Sequence, residues 1–113
     1  MRLFHNPRCS KSRAALELLR ERGIEPEIVP YLDTPPSPGE LRDLLARLGL
    51  PARALLRVGE AEYAELGLDD ESVGEDALVE AMARHPRLIE RPILVVGDRA
   101  VIGRPPERVF DLI

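Results

Sequence analysis

Hydrophobic positions along the chain fall into short blocks whose spacing alternates between strand and helix periods. Met1 to His5 forms a compact apolar run ended by Asn6-Pro7, which predicts a short buried strand. From Ser10 to Arg22, the residues Ala14, Ala15, Leu16, Leu18 and Leu19 share one helical face, and Gly23 supplies the stop. Ile24 to Tyr31 alternates as a second strand. Its Pro26 and Pro30 have no N–H for a ladder, so the strand is short or lies at an edge. Ser37-Pro38-Gly39-Glu40 carries a helix-start pattern of Ser at N-cap, Pro at N1 and Glu at N3. The helix it opens runs through Leu41, Leu44, Leu45 and Leu48 to Gly49. A short turn follows Pro51, a small helix covers Glu60 to Leu66, and another helix starts after Gly74 and stops near His85, before Pro86. Two apolar runs around Gly97-Asp98, within Arg91 to Gly103, predict a hairpin. Arg104-Pro105-Pro106 then opens a last helix holding Val109, Phe110 and Leu112.

The order is strand, helix, strand, a helical block, a hairpin and a terminal helix. It predicts an α/β fold: a thioredoxin-like mixed four-stranded sheet with flanking helices and a helical insertion over about 37–85. The first two strands are expected to be parallel, and the hairpin to supply the antiparallel edge. A chain of 113 residues is expected to form a single domain over 1–113. With no Trp and few aromatics, its core must be mainly aliphatic.

Charge narrows the function classes. A net charge of −4 argues against a general nucleic-acid binder, and every charged residue from Glu60 to Glu80 is acidic, as expected of a solvated face. No apolar run approaches the roughly 20 residues needed to span a bilayer. With one cysteine there is no intrachain disulfide, and the expected location is the reducing cytoplasm.

That cysteine, Cys9, lies between the first strand and the first helix, in a run that carries Arg2, Arg8, Lys11 and Arg13 and no carboxylate. Backbone N–H groups at a helix start and neighbouring cations favour a thiolate, which makes Cys9 a candidate nucleophile. Ser12 stands where a dithiol motif would have its second cysteine, so an outside thiol must complete any redox cycle. The fold is expected to bring the Arg91-Pro92 peptide close to the Cys9 loop. Pro92 is a candidate cis-proline, with a trans bond at an ordinary strand start as the alternative.

Five segments in order resemble the glutaredoxin-coupled arsenate reductases: His5 to Arg13, Tyr31 to Ser37, Arg53 to Arg57, His85 to Ile93, and Gly103-Arg104-Pro105. The resemblance implies Cys9 as the catalytic nucleophile, and Arg57, Arg91 and Arg104 as the residues that bind a tetrahedral oxyanion such as arsenate. It places His5 in the family's active-site segment. His5, Ser12 and Arg13 are candidate groups that tune the thiolate; the alternatives are a structural residue for His5, a helix cap for Ser12 and contact with the anion for Arg13. The resemblance further implies glutathione and glutaredoxin, or another thiol donor, as external reductant, and neither a bound cofactor nor a metal. Neither a nucleic acid nor a membrane is expected as a partner. Two other readings remain open at this point: a Spx-like regulator that binds RNA polymerase, and a monothiol oxidoreductase acting on glutathione mixed disulfides.

Overall fold

Leu3 and Leu94 pair across adjacent strands, and neither has any exposed surface. They mark the centre of a four-stranded sheet in the computed structural model, which describes residues 1–113. The strands are β1 (Arg2–Phe4), β2 (Glu27–Val29), β3 (Ile93–Val96) and β4 (Arg99–Ile102), in the spatial order β2-β1-β3-β4. β1 runs parallel to β2 and antiparallel to β3, and β3 pairs with β4 as the expected hairpin. Gly97, at φ 60°, provides the left-handed turn between them.

The chain divides into two compact units: Met1–Thr34 with Arg91–Ile113, and Pro35–Glu90. In the first, α1 (Ser10–Glu21) lays Ala15, Leu16 and Leu19 on Leu3, Leu94 and Val101 of the sheet, joined by Val109 from the C-terminal segment. Burying each of the leucine and valine side chains stabilises the fold by about 1.5–3 kcal/mol. β2 is an edge strand and only three residues long, because Pro26 and Pro30 bracket it. The C-terminal segment departs from the sequence expectation. Pro106–Leu112 winds as a 3-10 helix. Pro105 and Pro106 have no N–H to offer, and the Arg108 N–H donates to the Pro105 carbonyl three residues back at 3.0 Å.

The second unit is helical and slightly longer than the predicted insertion. α2 (Pro38–Leu48) begins with the anticipated capping box: the Ser37 Oγ accepts from the Glu40 N–H at 3.1 Å, and the Glu40 carboxylate accepts from the Ser37 N–H at 3.3 Å. It ends at Gly49 in the left-handed conformation. Two short helices, α3 (Ala52–Leu55) and α4 (Ala61–Glu65), precede α5 (Glu75–Arg84), which packs on α2 and α3. Glu75 lies in the first turn of α5, and its carboxylate also accepts from the Ala52 N–H at 2.8 Å, closing the start of α3. A 3-10 turn, Pro86–Leu88, follows α5. Next to it, the segments around Leu56 and Ile89 meet in an antiparallel bridge: the Arg57 N–H donates to Leu88 and the Glu90 N–H donates to Leu55, each at 2.8 Å. No helix is long and apolar enough to cross a membrane.

Candidate active site

β1 ends in the sheet centre, and the five residues that follow it place Cys9 at the first position outside α1. Two bonds shape this loop: the Asn6 Oδ1 accepts from the Arg8 N–H at 3.0 Å, and the Asn6 carbonyl accepts from the Cys9 N–H at 3.0 Å. Cys9 itself is the N-cap, with extended backbone angles, and its carbonyl receives the Arg13 N–H as the first helical bond. Its side chain is half-buried.

The thiol sits among competing influences. Burial, the largest single one, pushes its pKa up. Hydrogen bonds from the Ser12 N–H, the Arg91 side chain and the Lys11 N–H, together with the Arg91 charge, outweigh it and hold the thiol below its ordinary value. The N-terminus of a twelve-residue helix and one guanidinium therefore converge on the sulfur.

Ser12 contributes through its backbone rather than its hydroxyl. The buried Ser12 Oγ accepts from the Asn6 N–H at 3.0 Å and lies 2.6 Å from His5 Nδ1, so it neither caps α1 nor bonds the thiol. His5 is buried at the end of β1 and bonds Ser12, not Cys9. Burial, then the charges of Arg20 and Arg13, hold its pKa below the ordinary histidine value, so near neutral pH it is an uncharged imidazole. Arg13 donates from Nη1 to the Pro7 carbonyl at 2.9 Å and so braces the same loop.

Arg91 and Arg104 belong to the unit that carries Cys9. Both peptide bonds that follow them, Arg91-Pro92 and Arg104-Pro105, are cis. The two segments are tied together: Arg104 Nη1 donates to the Arg91 carbonyl at 3.2 Å, and the Gly103 N–H donates to the Pro92 carbonyl at 2.8 Å. Gly103 is buried so closely that a Cβ there would stand 2.9 Å from Pro92 Cγ and 3.3 Å from Val109 Cγ1. The sequence offered Gly103 only as one letter of a motif, since nothing local shows how near Pro92 comes. Arg57 lies in the helical unit, where its guanidinium bonds the Glu60 carboxylate at 3.2 Å and the Glu90 carboxylate at 3.0 Å.

Chemically, the Cys9 loop joins a stabilised thiolate to a guanidinium that bonds it directly. A fork of N–H donors of this kind matches the oxygens of a tetrahedral anion, and helix-start N–H groups favour the same ligand.

Residues 4–112 match the model of the ArsC family. An arsenate reductase of Neisseria meningitidis is 54% identical over 110 residues, covering 96% of this chain and 94% of that protein. An arsenate reductase of Escherichia coli is 45% identical over 111 residues, covering 98% of this chain and 79% of that protein. Among solved structures, the arsenate reductase from Vibrio cholerae superposes with a TM-score of 0.96 at 49% identity, covering 100% of this chain and 98% of that one.

Proposed function

This chain belongs to the ArsC family, and we propose that it is an arsenate reductase in which Cys9 is the nucleophile. The observation that carries the reading is the bond from Arg91 to the Cys9 sulfur, set beside the Ser12 and Lys11 N–H groups. A thiolate that attacks arsenate must approach a centre already negative. Arg91 neutralises that charge and lowers the thiol pKa, so one group serves both binding and activation. Arg104, tied to the Arg91 carbonyl, is the second oxyanion ligand. Arg57 is the third, on the strength of the sequence resemblance alone.

The electron balance requires help from outside. The Cys9 sulfur bonds arsenic and one oxygen leaves as water. A glutathione sulfur then replaces a second oxygen, again released as water. A further thiol, that of glutaredoxin, attacks the glutathione sulfur. An S–S bond forms, the broken S–As bond leaves its electron pair on arsenic, and As(V) becomes As(III). Hydrolysis of the Cys9–As bond releases arsenite and restores the thiol. Two outside thiols are oxidised per arsenate, as a chain with one cysteine demands. Phosphate fits the same donors but has no such reduction, so it acts as an inhibitor.

The test is arsenate-dependent NADPH consumption with glutathione, glutathione reductase and glutaredoxin, comparing the natural chain with Cys9→Ser and Arg91→Ala. The reading expects turnover by the natural chain, none by Cys9→Ser and a deep loss in Arg91→Ala. The absence of an arsenate-dependent rate with active coupling enzymes would overturn it.

A further inference from the structure

The sheet order gives the Cys9 loop two unlike sides. β1 leads into this loop, with β3 as its neighbour on one flank and β2 on the other. The β3 flank carries Arg91, and Arg104 is tied to it. On the β2 flank a cleft of about 630 Å³ opens at the carboxyl ends of the two parallel strands. Asn6, Pro7 and Arg8 form one wall, and Pro30, Leu32 and Asp33 the other. The wall that ends in Arg8 leads directly into Cys9.

The two flanks differ in chemistry. The Arg91 flank suits a dianion. The cleft instead presents opposite charges, the exposed Arg8 and the exposed Asp33, over apolar surface from Pro7, Pro30 and Ile28, the last 38% exposed. Such a lining is suited to a zwitterion with some apolar body. Its volume lies within the range of roughly 300–1,000 Å³ typical of small-molecule sites, larger than a tetrahedral oxyanion fills. Ile28 belongs to the edge strand β2, whose outer side pairs with no other strand, an arrangement that suits a peptide backbone.

We propose that this cleft seats the outside thiol as a short peptide thiol bearing both an ammonium and carboxylates, with Asp33 binding the ammonium and Arg8 a carboxylate. The assignment rests on the reductase reading, in which such a thiol must reach arsenic on the Cys9 sulfur. The oxyanion enters from the β3 flank and the thiol from the β2 flank. The reacting step is the one already balanced: the incoming sulfur bonds arsenic, its proton goes to the departing oxygen, and water leaves.

S-methylglutathione keeps the charges of glutathione but has no thiol, so it reports binding without reaction. Titrated into the full-length protein and followed by amide NMR, it should shift the resonances of Arg8, Ile28 and Asp33 saturably, more than those around Arg91 and Arg104. Asp33→Ala should weaken this binding about tenfold, the loss of one charge-assisted contact. In turnover, the same variant should raise KM for glutathione by a similar factor and leave KM for arsenate unchanged. No saturable shift, or shifts confined to the Arg91 and Arg104 flank, overturns the cleft assignment. The two proposals fail separately. If no thiol is oxidised with arsenate, the reductase reading fails while the titration still decides the cleft. If turnover is intact and the titration misses the cleft, the cleft assignment alone fails.

Discussion

His5 Nδ1 lies 2.6 Å from the hydroxyl oxygen of Ser12, and this pair, both buried, locks the end of β1 to the first turn of α1. The Ser12 oxygen also accepts the Asn6 N–H. With His5 neutral and the Ser12 oxygen already accepting from Asn6, the arrangement that gives the Ser12 hydroxyl proton an acceptor has it donating to Nδ1, with the imidazole proton on Nε2. The pair holds the loop so that the Ser12 and Lys11 N–H groups meet the sulfur. Its influence on Cys9 is positional.

Ser12→Ala therefore removes the partner of the buried His5 ring and of the partly buried Asn6 N–H while leaving the Ser12 N–H in place. Chemical denaturation should show a loss of about 1–3 kcal/mol. The pH midpoint of Cys9 alkylation should move far less than in Arg91→Ala. A midpoint displaced as much as in Arg91→Ala would make the hydroxyl, not the backbone, the thiolate ligand.

The depressed pKa of His5 predicts an acid-sensitive fold. The folded protein holds this proton less tightly than the unfolded chain, so the stability His5 provides is present above its ordinary value of 6.5 and is lost as pH falls through the lowered one. Denaturation midpoints measured from pH 7.5 downward should fall below pH 6.5, and His5→Gln should flatten that part of the profile. An unchanged slope in His5→Gln would assign the acid sensitivity elsewhere.

Cys9 provides the opposite test of electrostatics. Its alkylation by iodoacetamide should titrate at a lower pH than in the unfolded chain, where the thiol has its ordinary value. Arg91→Ala should raise the midpoint, because burial then acts with less opposition.

Much of this was legible in the chain and some was not. The capping box at Ser37, the glycine stops and the Gly97 hairpin are local signals, and they appear where local chemistry puts them. Pro26 and Pro30 foretold a short strand or an edge position for β2, and bracketing Glu27–Val29 they leave a strand that is both. The terminal helix was legible as a helix but not as its 3-10 form, which depends on which carbonyls the proline pair leaves in reach. Cys9 was marked by its basic, carboxylate-free surroundings. The role of the Ser12 hydroxyl was not, because its partner His5 lies seven residues away, across the turn. The contact between Gly103 and Pro92 joins segments that only the folded sheet brings together.

Gly103→Ala tests that contact. A methyl group 2.9 Å from Pro92 Cγ must displace the ring or the strand end. Overpacking of this kind destabilises by about 1–3 kcal/mol. Because Pro92 follows Arg91 and Gly103 precedes Arg104, the variant should also lower kcat/KM for arsenate. Ser37→Ala serves as the contrast: loss of its cap should reduce stability by about 1 kcal/mol and leave kcat/KM unchanged.

The most direct measurement counts products. With arsenate, glutathione and glutaredoxin supplied, arsenite separated by anion exchange should appear in a one-to-one ratio with the disulfide formed, and Cys9→Ser should form neither. Disulfide formed without arsenite, or arsenite formed equally by Cys9→Ser, would contradict the account.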